Sequence, residues 1–400
     1  MAGPHPGRAM LGLKRSPKVL AGDADYGVTV AVSAVDEEAV RAVFNVTPAL
    51  RKWTKGGGSW KRWRGVTITK HRVTELDLAR SRIKGLIPLS LGRMSGLTGL
   101  YLNGNRLHGA IPKEICLMVN LRRLWLQANL LHGAIPPEIG RLLLLKQLWL
   151  HQNRLEGPIP PEVAGLKEVE QLWLYQNELG GELPLVVGRF RTERGASVLL
   201  KRNRPFALAA DVRPVRDVQV LDLSHSGLHG AIPDAFGELS RVRELRLNDN
   251  RLGGALPIKL GVLKANGCAI DLANNLGFVL ADDCAPAAKT PILDLSDLCL
   301  HGPVPAALGR LSRLVSLDLS ANALTELPAS ILELKLRTFT VAGNATLRKP
   351  PLDIAEKGLP YIKRYFAQLA RAGVDHPETS PLERPASANT LDVGWYDSTL

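Results

Sequence analysis

LRRLWLQANLLHGAIP, at residues 121–136, decides the fold. The same pattern precedes it as LTGLYLNGNRLHGAIP (97–112) and follows it as LKQLWLHQNRLEGPIP (145–160). These copies start 24 residues apart, and a fixed period of tens of residues is typical of stacked repeats. The pattern divides the chain into twelve coils, which begin at residues 73, 97, 121, 145, 169, 195, 218, 242, 267, 290, 314 and 336.

Each position of the pattern has a physical task. Leu124 and Leu126 alternate with residues that point the other way, so a short strand places both leucines in the core. The amide of Asn129 follows at the turn and is able to pair backbone groups that the turn leaves free. Gly133 permits a tight bend, and Pro136 fixes φ where the return path begins. Stacking then predicts one continuous parallel sheet over one continuous core.

Two coils depart from the pattern in the same way. GASVLLKRNRPFALAADV begins at Gly195 and GCAIDLANNLGFVLADDC begins at Gly267. Both replace the Gly-x-Ile-Pro segment with one that carries a phenylalanine, Phe206 or Phe278. We expect these coils to mark local changes in curvature.

The ends of the array need covers, because an open stack would expose its core. Residues 36–46 begin with acidic side chains and carry Val40, Val43 and Phe44 at helical spacing, which predicts a cap helix. Residues 354–369 have amphipathic spacing and predict a closing helix. We therefore expect a basic disordered arm (1–35), an N-terminal cap (36–72), the repeat array (73–351), a C-terminal cap helix (352–372) and a disordered tail (373–400).

Composition narrows the classes of function. The chain is 45% hydrophobic and only 5% aromatic, and it has four cysteines, none in a metal-ligand spacing. No apolar run reaches the roughly eighteen residues that a membrane span requires, and no stretch fits a signal peptide. The sequence predicts a soluble cytoplasmic protein without a disulfide framework, a metal or a cofactor.

The pattern LxxLxLxxNxLxGxIP resembles the plant-type leucine-rich repeats of receptor-like kinases and receptor-like proteins. The resemblance covers residues 73 to about 351. It implies an α/β fold, a right-handed horseshoe or superhelix with a parallel β-sheet on the concave face and helical caps. Residues 59–78 look like the cap before such arrays, without that family's capping cysteines. Residues 343–369 resemble the last coil and helix of intracellular arrays in Roco-type proteins.

One column of outward-facing strand positions stands out. In four consecutive coils it is aromatic, and after Leu199 it becomes mostly acidic, with Asp222, Asp271, Asp294 and Asp318. Aromatic anchors beside polar or basic side chains are typical of binding hot spots. The side chains expected to contact a partner are Tyr101, Arg123, Trp125, Gln127, Gln147, Trp149, His151, Gln171, Trp173 and Tyr175. Inheritance of the tryptophans by repeat duplication is the alternative explanation.

Other ligands remain open from the sequence. Aromatic rings also stack on sugars and nucleobases. Residues 1–72 carry thirteen Lys/Arg against five Asp/Glu, and six of these cations lie among tryptophans at 51–64. That composition suits an anion, but Trp60 and Trp63 match the cap pattern, so nucleic acid is disfavoured. The C-terminal Ser398-Thr399-Leu400 has the form of a short recognition peptide.

No catalytic constellation is present, because the acidic side chains show no paired spacing and no serine or cysteine lies in a nucleophile motif. We expect a non-catalytic scaffold that binds a protein or peptide on its concave face in intracellular signalling. The alternative is a secreted or membrane-associated receptor-like sensor of a peptide or glycan. The partner and the oligomeric state do not follow from the sequence.

Overall fold

The structure is a computed structural model that describes residues 36, 38–41 and 65–371. It confirms a leucine-rich-repeat solenoid of α/β class, in which parallel strands of successive coils lie side by side. In chain order the strands are β1 (Val66–Thr69), β2 (Arg72–Asp77), β3 (Lys84–Gly85), β4 (Gly99–Tyr101), β5 (Arg106–Gly109), β6 (Arg123–Trp125), β7 (Leu130–Gly133), β8 (Gln147–Trp149), β9 (Arg154–Gly157), β10 (Gln171–Trp173), β11 (Glu178–Leu179), β12 (Gly181–Leu183), β13 (Ser197–Leu199), β14 (Phe206–Leu208), β15 (Val220–Asp222), β16 (Leu228–Gly230), β17 (Glu244–Arg246), β18 (Arg251–Leu252), β19 (Gly254–Leu256), β20 (Ala269–Asp271), β21 (Phe278–Leu280), β22 (Ile292–Asp294), β23 (His301–Pro303), β24 (Ser316–Asp318), β25 (Ala323–Glu326) and β26 (Thr338–Thr340). The helices are α1 (Val186–Arg194), α2 (Lys259–Ala265), α3 (Leu352–Ala355) and α4 (Leu359–Arg371).

Each of the twelve coils has one main strand, and nine of these coils carry the Leu-x-Leu pattern. The coils that begin at residues 195, 267 and 336 have Val198 and Leu200, Ile270 and Leu272, and Phe339 and Val341 in its place. The leucines of this pattern are buried, as Leu124 and Leu126 illustrate at 0% exposure. One core cluster runs from Ala39 near the start of the described chain to Ile362 in α4. The continuous core expected from stacking is therefore confirmed.

The main strands do not form the single continuous sheet that stacking predicted. They form three sheets, in the orders β1-β2-β4-β6-β8-β10-β13, β15-β17-β20 and β22-β24-β26. Each break follows one of the two irregular coils, after β13 and after β20. The irregular coils thus interrupt the sheet, which is a larger effect than the change in curvature expected from their sequence.

A second set of strands, which the sequence analysis missed, lies beyond the asparagine turn of each of the first eleven coils. In β5, Arg106 and His108 are exposed while Leu107 is buried, so the stretch alternates as a strand does. It ends at Gly109, whose φ of 84° belongs to the left-handed region that favours glycine. The order β11-β9-β7-β5-β3 makes one five-stranded sheet of this kind. The bend assigned to the glycine is correct, but the residues before it form a strand.

An α-helix precedes each irregular coil, where the regular coils have a short 3-10 turn such as Pro137–Arg141. The helix α1 packs against β15, in the coil after the irregular one, and a Cβ on Gly188 would lie only 2.6 Å from Leu221 Cδ1. Thr192 Oγ1 donates to Val220 O at 3.0 Å, and Arg191 donates to Ser224 O. The helix therefore uses backbone acceptors of β15 beside the break in the sheet.

The helix α2 repeats this arrangement at the second break. Gly261 lies against β22, with its Cβ position 2.9 Å from Leu293 Cδ1. Lys264 donates to the carbonyl and to the hydroxyl of Ser296, as Arg191 does to the carbonyl of Ser224. Because the two helices use equivalent glycine and cationic positions, the two breaks have the same structural origin.

Asparagine side chains join each coil to the next. Asn129 Oδ1 accepts from Leu107 N at 3.0 Å, and its Nδ2 donates to Leu102 O and Leu126 O, both at 3.0 Å. The same three kinds of bond are made by Asn105, Asn153, Asn177, Asn203, Asn250, Asn275, Asn322 and Asn344. We call these nine side chains the asparagine ladder. The role predicted for the amide is confirmed.

At the N-terminal side, residues 38–41 are helical, and Ala39 and Val40 are buried in the core. The buried Asp36 carboxylate accepts from Arg72 Nε at 2.9 Å and from Val73 N at 3.0 Å, so it holds this segment against the first coil. The other residues of the expected cap helix, including Val43 and Phe44, lie outside the described residues.

The C-terminal segment corrects the expectation of one helix over residues 352–372. It forms α3 and α4, which Gly358 separates with a φ of 93° that an α-helix cannot contain. Within α4, Ile362 is fully buried and Phe366 packs against the core, as the amphipathic spacing predicted. The end of the array is thus covered by two short helices, α3 and α4, with Gly358 between them.

Replacement of Asn129 by alanine tests the asparagine ladder. The variant leaves the buried N–H of Leu107 without its partner, while the carbonyls of Leu102 and Leu126 each keep a second donor, from Asn105 and Asn153. We therefore expect it to lower the free energy of unfolding by about 1 to 3 kcal/mol. Urea denaturation measures the change. Asn266→Ala is the matched control, because Asn266 is exposed at the end of α2. Equal losses for the two variants would contradict this role.

Candidate functional site

The four aromatic side chains predicted to contact a partner lie in one column of the first main sheet. Parallel pairing places Tyr101 opposite Trp125, Trp125 opposite Trp149, and Trp149 opposite Trp173. We call these four residues the aromatic ladder. The column ends at Leu199, the equivalent position of β13, which is 37% exposed.

The rings of the aromatic ladder stack on one another. Trp125 and Trp149 are parallel within 5° with centroids 4.1 Å apart, and Trp149 and Trp173 are parallel within 7° at 4.4 Å. Tyr101 meets Trp125 edge to face at 4.8 Å. Such pairs contribute about 0.5 to 1.5 kcal/mol each beyond their buried area. The ladder therefore stabilises the sheet as well as forming a surface.

Stacking decides which parts of the indoles a ligand is able to reach. Both faces of Trp149 are covered, one by Trp125 and one by Trp173, so its face is closed to a sugar or a nucleobase. The half-buried indoles present their edges instead. This geometry favours a partner that lies along a ridge of ring edges over one that stacks between rings.

The indole N–H groups are already paired. Trp125 Nε1 donates to Gln147 Oε1 at 3.1 Å, and Trp149 Nε1 donates to Gln171 Oε1 at 3.0 Å. Trp173 Nε1 donates to Ser197 Oγ at 3.1 Å. Gln147 and Gln171, two of the predicted site residues, thus fix the orientation of the ladder. Ser197 has the same task and was not predicted, since its coil departs from the pattern.

A second column, beside the ladder, contains Asn103, Gln127, His151 and Tyr175 in consecutive coils. The rings of His151 and Tyr175 stack at 4.3 Å and 15°. Three of the predicted contact residues are mostly covered although their strand positions face outward, since His151 is only 6% exposed and Tyr101 and Gln127 are each 9% exposed. Long neighbours in adjacent coils cover these side chains, which a reading of single strands does not reveal.

Three side chains of this column have buried polar atoms without a hydrogen-bond partner, namely Asn103 Oδ1, Gln127 Oε1 and His151 Nδ1. Buried polar atoms are paired in the great majority of cases, so three unpaired polar atoms in a row are unusual. Asn103 Oδ1 and Gln127 Oε1 are acceptors, and His151 Nδ1 accepts in the tautomer that carries its proton on Nε2. Burial lowers the pKa of His151 from 6.5 to about 4, so its imidazole is neutral at physiological pH. We call Asn103, Gln127 and His151 the acceptor row.

Arg123, the only cation among the predicted contacts, is bound at the N-terminal end of the ladder. Its guanidinium forms a 2.6 Å ion pair with Glu75 and lies 5.8 Å from the centroid of the Tyr101 ring. Burial raises the pKa of Tyr101 to about 12, and the Glu75 carboxylate adds to the increase. Arg123 therefore links the aromatic ladder to Glu75 in the first coil. Its Nε has no hydrogen-bond partner within the described residues.

The acidic side chains that continue the column have a local structural task. Asp222 Oδ1 accepts from the backbone N–H and the hydroxyl of Ser224 at 3.0 and 2.7 Å. Asp294 and Asp318 make the same pair of bonds to the serine two residues later, Ser296 or Ser320. Asp271 accepts from the N–H of Ala273. These bonds are Asx turns, so the acidic run requires no charged ligand to explain it.

The remaining predicted features lie outside the described residues, among them the cations and tryptophans of residues 51–64 and the C-terminal Ser398-Thr399-Leu400. Within the described ranges, no group of three or more His, Cys, Asp or Glu side chains has an arrangement that would hold a metal ion. No helix over these residues is long and apolar enough to cross a membrane.

Comparison with family models gives two matches, both to leucine-rich repeats. One model matches residues 71–131, and the other matches residues 144–166 and 217–239. Comparison with curated proteins gives no match.

Solved structures similar to the chain include two receptor-kinase ectodomains from Arabidopsis. HAESA, in complex with an extended IDA peptide hormone, is 28% identical over 76% of this chain and 52% of its own, with a TM-score of 0.42. GASSHO1/SCHENGEN3 from Arabidopsis thaliana, in complex with CASPARIAN STRIP INTEGRITY FACTOR 2, is 27% identical over 68% of this chain and 36% of its own, with a TM-score of 0.37. The chain thus spans about a third to a half of these ectodomains.

A plant ice-binding protein is also similar, with 23% identity over 78% of this chain and 96% of its own and a TM-score of 0.40. TM-scores this low do not establish a common overall shape. None of these likenesses therefore assigns a ligand to the chain.

The buried imidazole of His151 predicts a pH dependence of stability. Its pKa is about 4 in the folded chain against 6.5 as the ordinary value, so its contribution is complete above 6.5 and is lost as pH falls toward 4. From about pH 7 to about pH 5, the wild type should lose about 2 kcal/mol more unfolding free energy than His151→Gln. Denaturant titrations at both pH values test this, and parallel losses would contradict it.

Proposed function

We propose that this chain, a leucine-rich-repeat protein with plant-type repeats, is a non-catalytic scaffold that binds a protein or peptide. The binding surface is the outward face of the first main sheet, which we infer to be the concave face. It is centred on the aromatic ladder and the acceptor row, in coils two to five. We place the scaffold in the cytoplasm, in intracellular signalling.

The acceptor row beside the aromatic ladder is the observation that carries this proposal. An unpaired buried acceptor costs about 1 to 3 kcal/mol, and the row contains two such amide oxygens, on Asn103 and Gln127, beside the unpaired Nδ1 of His151. A partner that donates hydrogen bonds to them recovers part of that cost. An extended polypeptide has suitable donors in its backbone N–H groups, and its apolar side chains fit the ridge of indole edges.

Binding requires a local movement, because these acceptor atoms are covered in the free protein. Rotation of Gln127 or Asn103 about its side-chain bonds would turn the amide toward the surface. The movement gives up no hydrogen bond at the acceptor atom, since none is made there. The amide side chains of the acceptor row are therefore able to reorient toward a partner, while the stacked indoles of the aromatic ladder keep their positions.

The non-catalytic part of the proposal rests on the chemistry of the same side chains. Within the described residues, no hydrogen bond joins His151 to a carboxylate or to a serine or cysteine. General base catalysis needs a group within reach of both an orienting partner and a reacting proton. The indole N–H groups, held by Gln147, Gln171 and Ser197, add no reactive group.

The alternative is a receptor-like extracellular sensor, which the plant-type repeats favour. It would use the same face for a peptide, whereas the two covered faces of Trp149 disfavour a glycan stacked at the centre of the ladder. A fluorescent fusion of the complete gene product separates the two settings, because a sensor of this kind enters the secretory route and a scaffold stays in the cytoplasm.

Affinity capture with a matched pair of surface variants tests the binding face. Arg122→Glu with Gln152→Glu places two carboxylates next to the ladder at exposed positions and removes the Arg122 cation. Arg243→Glu with Ala321→Glu makes the same change in charge at the equivalent, exposed positions of later coils. We expect the first pair to weaken binding of the purified partner by roughly tenfold or more, and the second to leave it unchanged.

The triple variant Trp125→Ser, Trp149→Ser and Trp173→Ser removes the ladder itself. Binding should be lost in this variant while circular dichroism still reports a folded array. Equal binding by both charge pairs, or full binding by a folded triple variant, would rule out the ladder as the contact surface.

A further inference from the structure

A second surface, on the side of the coils formed by β3, β5, β7 and β9, carries more basic than acidic side chains, with Glu156 as the exposed carboxylate of these four strands. It carries Arg82 just before β3 and Lys84 within it, and continues through the strands of the next three coils. We call the following six side chains the basic strip: Arg82, Lys84, Arg106, His108, His132 and Arg154. All six are exposed.

Strand pairing brings these charges together. Lys84 lies directly opposite Arg106, so two positive charges face each other, and the imidazole of His132 lies directly opposite Arg154. Like charges at opposing strand positions destabilise a sheet. The Arg72, Arg123 and Lys146 cations of the same coils have acidic partners at 2.9, 2.6 and 2.6 Å. Within the described chain, none of the six side chains of the basic strip has an acidic partner.

Exposed leucines lie among these cations. Leu86 follows Lys84 by two residues, is 60% exposed, and lies 2.5 Å from the position that a Cβ on Gly109 would take. Leu130 is 41% exposed and lies directly opposite His108. The surface thus combines unpaired positive charge with apolar side chains.

We propose that the basic strip docks the protein on an anionic phospholipid membrane. Fixed cations near such a surface are attracted by its negative potential, and the effect falls off within a Debye length. Leu86 and Leu130 would enter the interface between the headgroups and the acyl chains, where exposed leucine is favourable. The attachment is peripheral and adds no membrane-spanning element.

The shape of the strip favours lipid over a macromolecular partner. Its strands are two to four residues long, and Gly85, Gly109 and Gly133 end three of them, so the cations stand on a shallow surface. A folded protein partner needs anchoring pockets, whereas lipid headgroups diffuse to each cation. The strip has no aromatic side chain for stacking on bases, which single-stranded nucleic acid binding employs.

The basic strip is independent of the proposed partner site. It lies on the second strands of each coil, whereas the aromatic ladder lies on the main strands across the asparagine turn. Docking through the strip therefore leaves the ladder uncovered. The protein would present its binding face to the cytoplasm while attached to a membrane.

Vesicle co-sedimentation of the full chain tests the proposal. The probe is a vesicle of about one part phosphatidylserine to three parts phosphatidylcholine, compared with phosphatidylcholine alone. The test variant is Arg82→Gln, Lys84→Gln, Arg106→Gln and Arg154→Gln. The control, Arg310→Gln, Arg313→Gln, Lys335→Gln and Arg337→Gln, removes the same charge from exposed positions of the last coils.

We expect the wild type and the control to partition onto anionic vesicles, and the test variant to partition at least roughly tenfold less. Leu86→Ser with Leu130→Ser should also weaken binding while all charges remain. Equal partitioning of test and control variants would overturn the proposal. So would binding to a nucleic acid or a sulfated polysaccharide in place of the vesicles. Ladder variants are expected to bind vesicles normally, so the two proposals fail separately.

Discussion

The hydrogen bonds of the asparagine ladder are the constraint on which the rest of the structure depends. Each asparagine amide accepts a hydrogen bond from a backbone N–H of the preceding coil. It donates to one backbone carbonyl of that coil and to one of its own coil. A coil alone cannot satisfy these groups or bury its leucines. The ladder therefore sets the register between coils, and both surfaces of interest follow from that register.

The main-strand register fixes the aromatic ladder. Strand spacing in a sheet is about 4.8 Å, and parallel indoles need a slightly smaller separation. The rings reach 4.1 and 4.4 Å and are held there by glutamine and serine side chains of the next coil. The same register brings Lys84 opposite Arg106 on the other side. One stacking geometry thus produces an aromatic ridge and a basic surface that point in different directions.

The repeat pattern of the sequence made the stacked coils, their buried leucines and their asparagine bonds predictable. The roles of Leu124, Leu126 and Asn129 depend only on their own coil and on the adjacent one, and the repeat pattern specifies the residues of both coils. Features that depend on packing between distant residues were missed or wrong. The burial of His151 comes from Tyr175 and Trp173 in the next coil. The helix α1 depends on the contact of Gly188 with β15, which lies two coils further along the chain. The local sequence therefore does not distinguish α1 from the 3-10 turn of a regular coil.

Photocrosslinking tests the central claim, partner binding on the ladder face, most directly. A photoreactive phenylalanine analogue at Gln152, which is exposed beside the ladder, is compared with one at Lys167, which is exposed elsewhere in the same coil. The account predicts that the bound partner forms adducts with position 152 and not with position 167. Adducts at position 167 alone, or at both positions equally, would contradict it.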